Sequence, residues 1–229
     1  MCGRYFIGED FEEAMQTAPE LRSLTIKDVA AGARMGERQA DRQRPRDFCS
    51  AVTTSAPKAE DWSDLLRPRD IHPADTAPVL AADGGHLILK AQRWGYPSRE
   101  KGLVINARRE SARTLRLFSN GIEHHRIALP STGFYEWNSS GEKYTFRHPA
   151  RRLLYLAGFC DLFEGEERFV ILTGAAGPTM TPVHDRQPLT LEGSDLTAWL
   201  TDSRRLDEFL EGTMSDFRRE TAYEQLSLF

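Results

Sequence analysis

The stretch Gly133-Phe134-Tyr135-Glu136-Trp137 is followed by the turn residues Ser139-Ser140-Gly141 and by a second β-type run, Lys143 to Arg147. Two such runs joined by a short glycine-containing turn predict an antiparallel β-hairpin. Because side chains alternate between the faces of a strand, Glu136 is expected on the same face as Phe134. The hairpin therefore carries a carboxyl group beside an aromatic side chain.

The same pattern recurs on both sides of this hairpin. Ala77 to Leu80 leads into the turn Asp83-Gly84-Gly85, and further runs predict strands over Cys2 to Ile7, His86 to Arg93, Arg126 to Leu129, Leu153 to Cys160 and Arg168 to Thr173. Helical patterns cover Phe11 to Thr17 after a capping Asp10, Pro19 to Ala33, Ser194 to Leu200 and Ser203 to Glu211. We predict an α+β fold in a single domain, with mostly antiparallel strands forming an open barrel-like core and peripheral helices.

Composition limits the partners that the chain can have. The 229 residues carry a formal net charge of −4, so a nucleic acid would have to bind a local arginine-lined groove. Arginines crowd the irregular stretch Arg34 to Lys58, which we interpret as a flexible surface excursion or a basic arm, although such runs are usually a solvated face. Cys2, Cys49 and Cys160 show no metal-ligand spacing, and no secretion signal or membrane span is evident. We expect a cytoplasmic monomer without a metal or cofactor.

The first residues, Met1-Cys2-Gly3, hold unusual chemistry if Met1 is removed. Cys2 would then carry an α-amine and a thiol on adjacent carbons, and an α-amine with a pKa of about 8 is partly unprotonated near neutral pH. Such an amine forms a Schiff base with an aldehyde, after which the thiol can close a five-membered thiazolidine ring. The alternative is that Cys2 is an ordinary small residue entering the first strand.

Five motifs in one order resemble the SOS-response-associated peptidase (SRAP) family, and they span nearly the whole chain. They are Met1-Cys2-Gly3-Arg4-Tyr5, Trp94-Gly95-Tyr96, Ile105-Asn106-Ala107-Arg108, Gly133-Phe134-Tyr135-Glu136-Trp137 and Val183-His184-Asp185-Arg186-Gln187-Pro188. The resemblance implies a SRAP-like domain over residues 1–222. It also implies that Cys2, after autoproteolytic loss of Met1, captures the sugar aldehyde of an abasic site in single-stranded DNA as a thiazolidine cross-link that shields the lesion.

The resemblance implies a catalytic role for three further residues. Glu136 assists Met1 removal and proton transfer, and partial burial would raise its pKa towards neutrality. His184 exchanges protons during Schiff-base formation and reversal of the cross-link. Asn106 orients the amine or the closed ring, or it caps a following helical segment. Without the resemblance, Glu136 is a satisfied strand carboxylate and His184 a bystander.

The remaining members of the motifs are interpreted as a DNA-binding surface. Arginine guanidinium groups bind phosphates without reading sequence, and tryptophan stacks on bases. The DNA-binding residues predicted in this way are Arg4, Arg108, Arg186, Trp137, Thr173, Pro73 and Trp94. The alternatives are that the arginines are ordinary surface residues and that Trp137 packs in the core.

The segment 223–229 contains Gln225-Leu226-Ser227-Leu228-Phe229, which looks like the pentapeptide that docks bacterial repair proteins onto the DNA polymerase sliding clamp. Gln225, Leu226, Leu228 and Phe229 would be the anchors in an extended backbone. The alternative is an edge strand of the domain itself. For the whole chain, the rival functions are an N-terminal-nucleophile thiol peptidase or amidohydrolase and a non-catalytic, clamp-associated DNA-binding adaptor.

Overall fold

The computed structural model describes residues 3–26, 59–98, 100 and 102–221. Met1, Cys2, the predicted excursion at 34–58 and the tail 223–229 lie outside the described residues.

The described residues form strands in two main sheets and in one separate two-stranded sheet. In chain order these strands are β1 (Arg4–Ile7), β2 (Thr25–Ile26), β3 (Arg69–Ile71), β4 (Thr76–Asp83), β5 (His86–Trp94), β6 (Tyr96–Pro97), β7 (Leu103–Val104), β8 (Asn106–Arg108), β9 (Arg126–Ser131), β10 (Gly133–Trp137), β11 (Lys143–Arg147), β12 (Leu154–Phe163), β13 (Glu166–Ala175), β14 (Arg186–Pro188), β15 (Thr190–Leu191) and β16 (Arg218–Glu220). The α-helices are α1 (Phe11–Thr17), α2 (Ala59–Leu66), α3 (Ser119–His124), α4 (Leu196–Thr201) and α5 (Leu206–Glu211).

The larger sheet closes on itself. Its order is β14-β13-β12-β9-β4-β5-β2, and β13 also pairs with β5, so that β13, β12, β9, β4 and β5 form a ring. The closing pair is parallel, with Arg168 opposite Arg93 and Phe169 opposite Trp94. Strand β8 extends the sheet by a parallel pairing with the far end of β13. A closed ring leaves no open edge between its strands and encloses an apolar core.

The smaller sheet has the order β16-β11-β10-β1-β3 and packs against the ring. On its inner face, Phe134 stacks on Phe146 at 5.1 Å, and both rings contact Phe217. Tyr5 on the neighbouring β1 is fully buried and lies 5.4 Å from the ring of Trp94. These aromatic contacts fix the position of the N-terminal strand relative to the barrel, since Trp94 ends β5.

The α+β fold class and most hairpins are confirmed, although the barrel expected to be open is closed by the pairing of β13 with β5. The Gly84-Gly85 turn has positive φ at both residues, as the type I′ hairpin requires. The central hairpin forms as predicted, with Glu136 and Phe134 on one face and both buried. Helix α1 has the predicted bounds, but the side chain of Asp10 makes no capping hydrogen bond.

The predicted helix from Pro19 to Ala33 is wrong over its described part. A single 3-10 turn at Pro19–Leu21 is followed by β2, which pairs in parallel with β5. Helices α2 and α3 and strand β16 were not predicted from the sequence. None of the helices in the described ranges combines the length and the apolar character needed to cross a membrane.

Candidate functional site

Glu136 is the buried carboxyl group that the central hairpin was expected to carry. Its side chain is 4% exposed, and burial raises its pKa. Strand β1 lies beside β10, the strand that carries Glu136, with Arg4 opposite Tyr135 in an antiparallel register. Gly3 is the first described residue and directly precedes β1, so the N-terminal end of the chain runs beside β10 towards Glu136.

Asn106 and Arg108 lie on β8, at the end of the barrel where β13 finishes. Asn106 pairs with Ile171 and Arg108 with Thr173. Asn106 is half-buried and begins β8, whose next two residues are also strand, so the alternative role as a helix cap is wrong. Arg108 is exposed, and its guanidinium makes no ion pair among the described residues. Thr173 is fully buried, and its hydroxyl donates to the carbonyl of Ala107 at 3.4 Å.

Arg186 was predicted to grip phosphate, but its guanidinium is already occupied. Nη1 and Nη2 donate to the two carboxylate oxygens of Glu110 at 2.8 and 2.9 Å. Nη2 also donates to the backbone carbonyl of Thr173 at 2.7 Å, and the side chain is 13% exposed. The Glu110 carboxylate takes the fork that would bind a phosphate, and through Thr173 the guanidinium also braces β14 against β13. The phosphate contact of Arg186 stays a prediction.

His184 lies in the loop before β14. Its Nδ1 accepts the backbone N–H of Arg186 at 3.0 Å and lies 2.8 Å from Oδ1 of Asp185. The imidazole is 27% exposed, and burial lowers its pKa, partly opposed by the Asp185 charge. The neutral ring that this favours can carry its proton on Nδ1, donated to Asp185, or on Nε2, with Nδ1 accepting the amide; Nε2 is the nitrogen that neither contact uses.

Two sets of contacts connect these groups across the sheets. Trp94, packed on Tyr5, donates its indole N–H to the carbonyl of Ile105 at 2.9 Å, directly before Asn106. A second connection is the segment Gly212 to Phe217, which accepts a hydrogen bond from Arg109 at 2.6 Å and one from Gln187 at 2.7 Å. The same segment reaches the inner face of β10 through Phe217. The structure thus holds Glu136 and the β8–β13–β14 group in one framework.

Trp94 is fully buried, so its predicted position on a DNA-facing wall is corrected to a core position. Arg4 and Trp137 lie on the opposite face of the smaller sheet from Glu136, with the Arg4 guanidinium 5.2 Å from the Trp137 ring centroid. Pro73 lies in the turn between β3 and β4, where the next residue, Ala74, has a positive φ of 77°. Pro73 is half-buried there.

The predicted Cys2, Gln225, Leu226, Leu228 and Phe229 lie outside the described residues. Among the residues that are described, no three His, Cys, Asp or Glu side chains gather as metal ligands. The sequence interpretation missed Glu110 and Asp185, the partners of Arg186 and His184. Asp185 stands inside a motif, but nothing local identifies Glu110 because its contact spans 76 residues.

The fold and these side chains define a barrel-and-sheet protein with a buried acid, a half-buried imidazole and an exposed arginine. A family model described as "SOS response associated peptidase (SRAP)" matches residues 1–227. The chain belongs to the SOS response associated peptidase family.

Named relatives agree with this assignment. Abasic site processing protein YedK of Escherichia coli (strain K12) is 31% identical over 140 residues, which cover 57% of this chain and 63% of YedK. Abasic site processing protein YMR114C of Saccharomyces cerevisiae is 25% identical over 228 residues, covering 88% of this chain and 58% of YMR114C. The chain thus spans less than two thirds of the length of these relatives.

A crystal structure of a protein from Bordetella bronchiseptica superimposes with a TM-score of 0.66 at 17% identity, covering 96% of this chain and 99% of that one. At this identity the likeness concerns the fold.

Proposed function

We propose that this protein processes abasic sites in DNA, capturing them in single strands through Cys2. The observation that carries the proposal is membership of the family over residues 1–227, together with relatives named abasic site processing proteins. The finer chemistry follows from the residues at the site, and it includes removal of Met1 to expose the amine of Cys2.

The covalent chain supports a position of Cys2 near Glu136. Adjacent Cα atoms are about 3.8 Å apart, so Cys2 cannot lie more than one such step from Gly3. Strand β1 runs antiparallel to β10 with Arg4 opposite Tyr135, and continuing that register by one residue brings Gly3 opposite Glu136. A buried acid with a raised pKa is suited to donate and accept protons beside the processed N-terminus.

The reaction that we propose balances with one molecule of water released. The Cys2 amine adds to the ring-opened C1′ aldehyde, a C–N bond forms, and loss of water gives an imine. The thiol sulfur then bonds to C1′, and the C=N electron pair takes up a proton, which yields a thiazolidine. Because the ring has no C=N bond, C2′–H is no longer acidified, and elimination of the 3′ phosphate is suppressed.

Three side chains divide the proton transfers. Glu136 protonates the departing hydroxyl of the carbinolamine and assists hydrolysis of the Met1–Cys2 bond. His184 takes the proton from the amine through Nε2, in the neutral tautomer whose own proton sits on Nδ1 and is donated to Asp185. Asn106 offers a donor and an acceptor without charge, so it can hold the closed ring. Reversal runs through the same residues, since the forward and reverse paths share their transition states.

DNA is held by exposed and half-buried side chains around the site and on the other face of the smaller sheet. Arg108 has an exposed guanidinium at the end of β8 and supplies a phosphate contact. Arg4 and Trp137 form a cation–aromatic pair that can bind a phosphate and stack on a base. Pro73 contributes the rim of the turn beside β3.

The segment 223–229 is proposed to tether the protein to the sliding clamp through Gln225, Leu226, Leu228 and Phe229, as a module separate from the domain at 1–222. The test is a clamp pulldown with the full chain and with Gln225–Phe229 removed. Equal retention of the two proteins by the clamp would refute the tether.

The decisive test mixes Met1-processed protein with an oligonucleotide that contains one abasic site and analyses the products on a denaturing gel. Cys2→Ser keeps the amine but cannot form the sulfur-containing ring, so only the wild type should give a heat-stable adduct. If mass spectrometry shows Met1 removed and no adduct forms, the capture mechanism is refuted. Turnover of small amides by the same sample would then favour the thiol peptidase.

A further inference from the structure

Gln187 is a buried amide in the motif that carries His184, and the reaction gives it no role. It lies on β14 opposite Gly174, and its side chain is 1% exposed. A buried amide destabilises the fold unless its donor and its acceptor both find partners. The partners of Gln187 therefore show what this polar side chain does in the core.

Both ends of the Gln187 amide are bonded to backbone groups of distant segments. Oε1 accepts the N–H of Gly177 at 2.6 Å, and Nε2 donates to the carbonyl of Ser215 at 2.7 Å. One partner is a donor and the other an acceptor, so only an amide in this orientation satisfies both. A Cβ on Gly177 would lie 3.3 Å from Oε1 of Gln187 and 3.7 Å from the Ser215 oxygen, so glycine permits this close approach.

The bond to Gly177 leads to the backbone of His184. Gly177 begins the turn inside the loop at 176–185, which connects β13 with β14. The Gly177 carbonyl accepts the N–H of Met180 at 3.1 Å, and the Met180 carbonyl accepts the N–H of His184 at 3.0 Å. Met180 is fully buried beneath this turn. Successive hydrogen bonds thus run from the Gln187 amide to the residue that carries the imidazole.

The bond to Ser215 leads to the strand of the buried acid. Ser215 stands two residues before Phe217, whose ring packs edge-on against Phe134 with centroids 5.1 Å apart. Phe134 lies on β10, on the same face as Glu136 and two residues from it. One amide therefore connects the loop of the imidazole with the strand of the acid.

We propose that Gln187 is a positioning residue of the cross-linking reaction, which sets the place of the His184 loop relative to Glu136. The inference rests on the proposed function, because that function assigns the proton transfers to these two side chains. Proton transfer needs heavy atoms about 2.6–3.2 Å apart, and a displacement of about 1 Å can slow a reaction about 100-fold. Gln187 acts through the two side chains and not on the DNA.

The test measures single-turnover cross-linking over a range of concentrations of an oligonucleotide with one abasic site. Gln187→Leu keeps an apolar side chain of similar bulk and removes both bonds. The maximal rate should fall about 10- to 100-fold, because the proton-transfer geometry loosens. The DNA concentration for half-maximal rate should stay within about two-fold of the wild type, since the DNA contacts are unchanged.

The matched control is Gln92→Leu, which removes another buried glutamine. Gln92 is 2% exposed and donates to Sγ of Cys160 at 3.4 Å and to Oε2 of Glu167 at 3.0 Å. Both variants should lose stability in urea, because each leaves buried polar groups without a partner. Only Gln187→Leu should lose the maximal rate, and an equal loss in both variants would reduce Gln187 to a structural residue and overturn the inference.

Gln187→Glu adds a pH readout that a purely structural role would not give. A protonated carboxyl group accepts from Gly177 and donates to Ser215 as the amide does, whereas a carboxylate cannot donate. Burial raises the pKa of such a carboxyl group. The ratio of the variant rate to the wild-type rate should therefore rise towards one as pH falls from 8 to 5. A ratio that stays flat and low would contradict the inference.

Hydrogen exchange of the peptide 176–185, measured without DNA, separates this inference from the proposed function. Exchange there should be about ten-fold faster in Gln187→Leu and unchanged in Gln92→Leu. A wild type that forms no adduct refutes the proposed function, and faster exchange in Gln187→Leu would still support the hold of Gln187 on the loop. Unchanged exchange in that variant, or cross-linking at the wild-type maximal rate, would overturn the inference.

Discussion

The carboxylate of Glu110 holds both terminal nitrogens of Arg186, at 2.8 and 2.9 Å, across 76 positions of the chain. Arg186 also binds the carbonyl of Thr173, so one guanidinium connects the segment after β8 with β13 and β14. His184 is two residues from Arg186 and accepts its backbone N–H. The ion pair therefore contributes to the site by holding in place the loop that carries the imidazole.

Glu110→Gln should destabilise the protein at neutral pH and not at low pH. The hydrogen bond from Arg186 lowers the pKa of Glu110, so its contribution to stability is present above the unfolded pKa and is lost as pH falls through the folded pKa. Since Glu110 is half-exposed and screened by solvent, we expect a loss of about 0.5–1 kcal/mol at pH 7. Urea unfolding at pH 7 and pH 3 measures the difference, which should vanish at the lower pH.

The exposed Glu211 offers a matched control, because Glu211→Gln removes a carboxylate that makes no ion pair within the described residues. A loss of stability in Glu110→Gln that persists undiminished at pH 3 would show that the ion pair is not its cause.

Glu136→Gln should act in the opposite sense on stability. Burial raises the pKa of Glu136, so the folded state binds a proton more tightly than the unfolded state, and this carboxyl group lowers stability once pH rises through its folded pKa. We expect the variant to melt at a higher temperature than the wild type at pH 8 and at the same temperature below about pH 4. Thermal unfolding followed by circular dichroism at several pH values measures the effect.

The same variant should lose reactivity. General acid–base groups typically contribute about 100-fold or more, so cross-linking by Glu136→Gln should slow at least to that extent. A variant that is both less stable and fully reactive at pH 8 would contradict the assignment of Glu136.

Local sequence patterns were sufficient for hairpins but not for long-range pairing. The Gly84-Gly85 turn and the alternation of Phe134 and Glu136 are visible within a few residues, and both appear in the structure. The residues after Leu21 were interpreted as helical, yet Thr25–Ile26 pairs in parallel with β5, a contact that no local pattern encodes. Closure of the ring by β5 and β13 depends likewise on residues about 75 positions apart, such as Arg93 and Arg168.

The candidate site was likewise predictable only in part. Glu136, Asn106 and His184 are polar residues inside short recognisable motifs, so their positions could be listed from the sequence. The motifs do not show how far each side chain is buried or which of its atoms already bond to other residues of the protein. Arg186 and Arg108 look equivalent in sequence, but burial at 13% exposure and the Glu110 contact distinguish them only in three dimensions.

Asp185→Asn should move the acid limb of the cross-linking pH profile to lower pH. Burial lowers the pKa of His184 and the Asp185 charge opposes this, so removing the charge lowers the pKa further and leaves the imidazole neutral at more acidic pH. Because Asp185 is 86% exposed, the rate at pH 8 should change by less than about five-fold. Initial rates from pH 5 to 8, compared with His184→Ala, provide the measurement. A limb that moves to higher pH, or does not move, would argue against His184 as the proton acceptor.

Arg108→Ala and Arg186→Ala should separate binding from stability. Arg108 is exposed and makes no ion pair within the described part of the chain, so its loss should reduce the salt slope for single-stranded DNA by about 0.7 and leave stability within about 0.5 kcal/mol of the wild type. Arg186 is mostly buried and bonded to Glu110 and Thr173, so its loss should cost about 1–3 kcal/mol, chiefly because the buried carbonyl of Thr173 loses its donor.

Salt-dependent anisotropy with an undamaged oligonucleotide and urea unfolding on the same samples provide both measurements. Arg186→Lys serves as the control, since it keeps the positive charge but cannot bind both oxygens of Glu110 in the planar fork geometry. If Arg186 itself bound a phosphate, Arg186→Ala would reduce the salt slope as Arg108→Ala does, and Arg186→Lys would restore it. We expect instead that Arg186→Lys is less stable than the wild type and keeps the wild-type salt slope. The reason is that the guanidinium, through its bonds to Glu110 and Thr173, stabilises the part of the fold that holds His184.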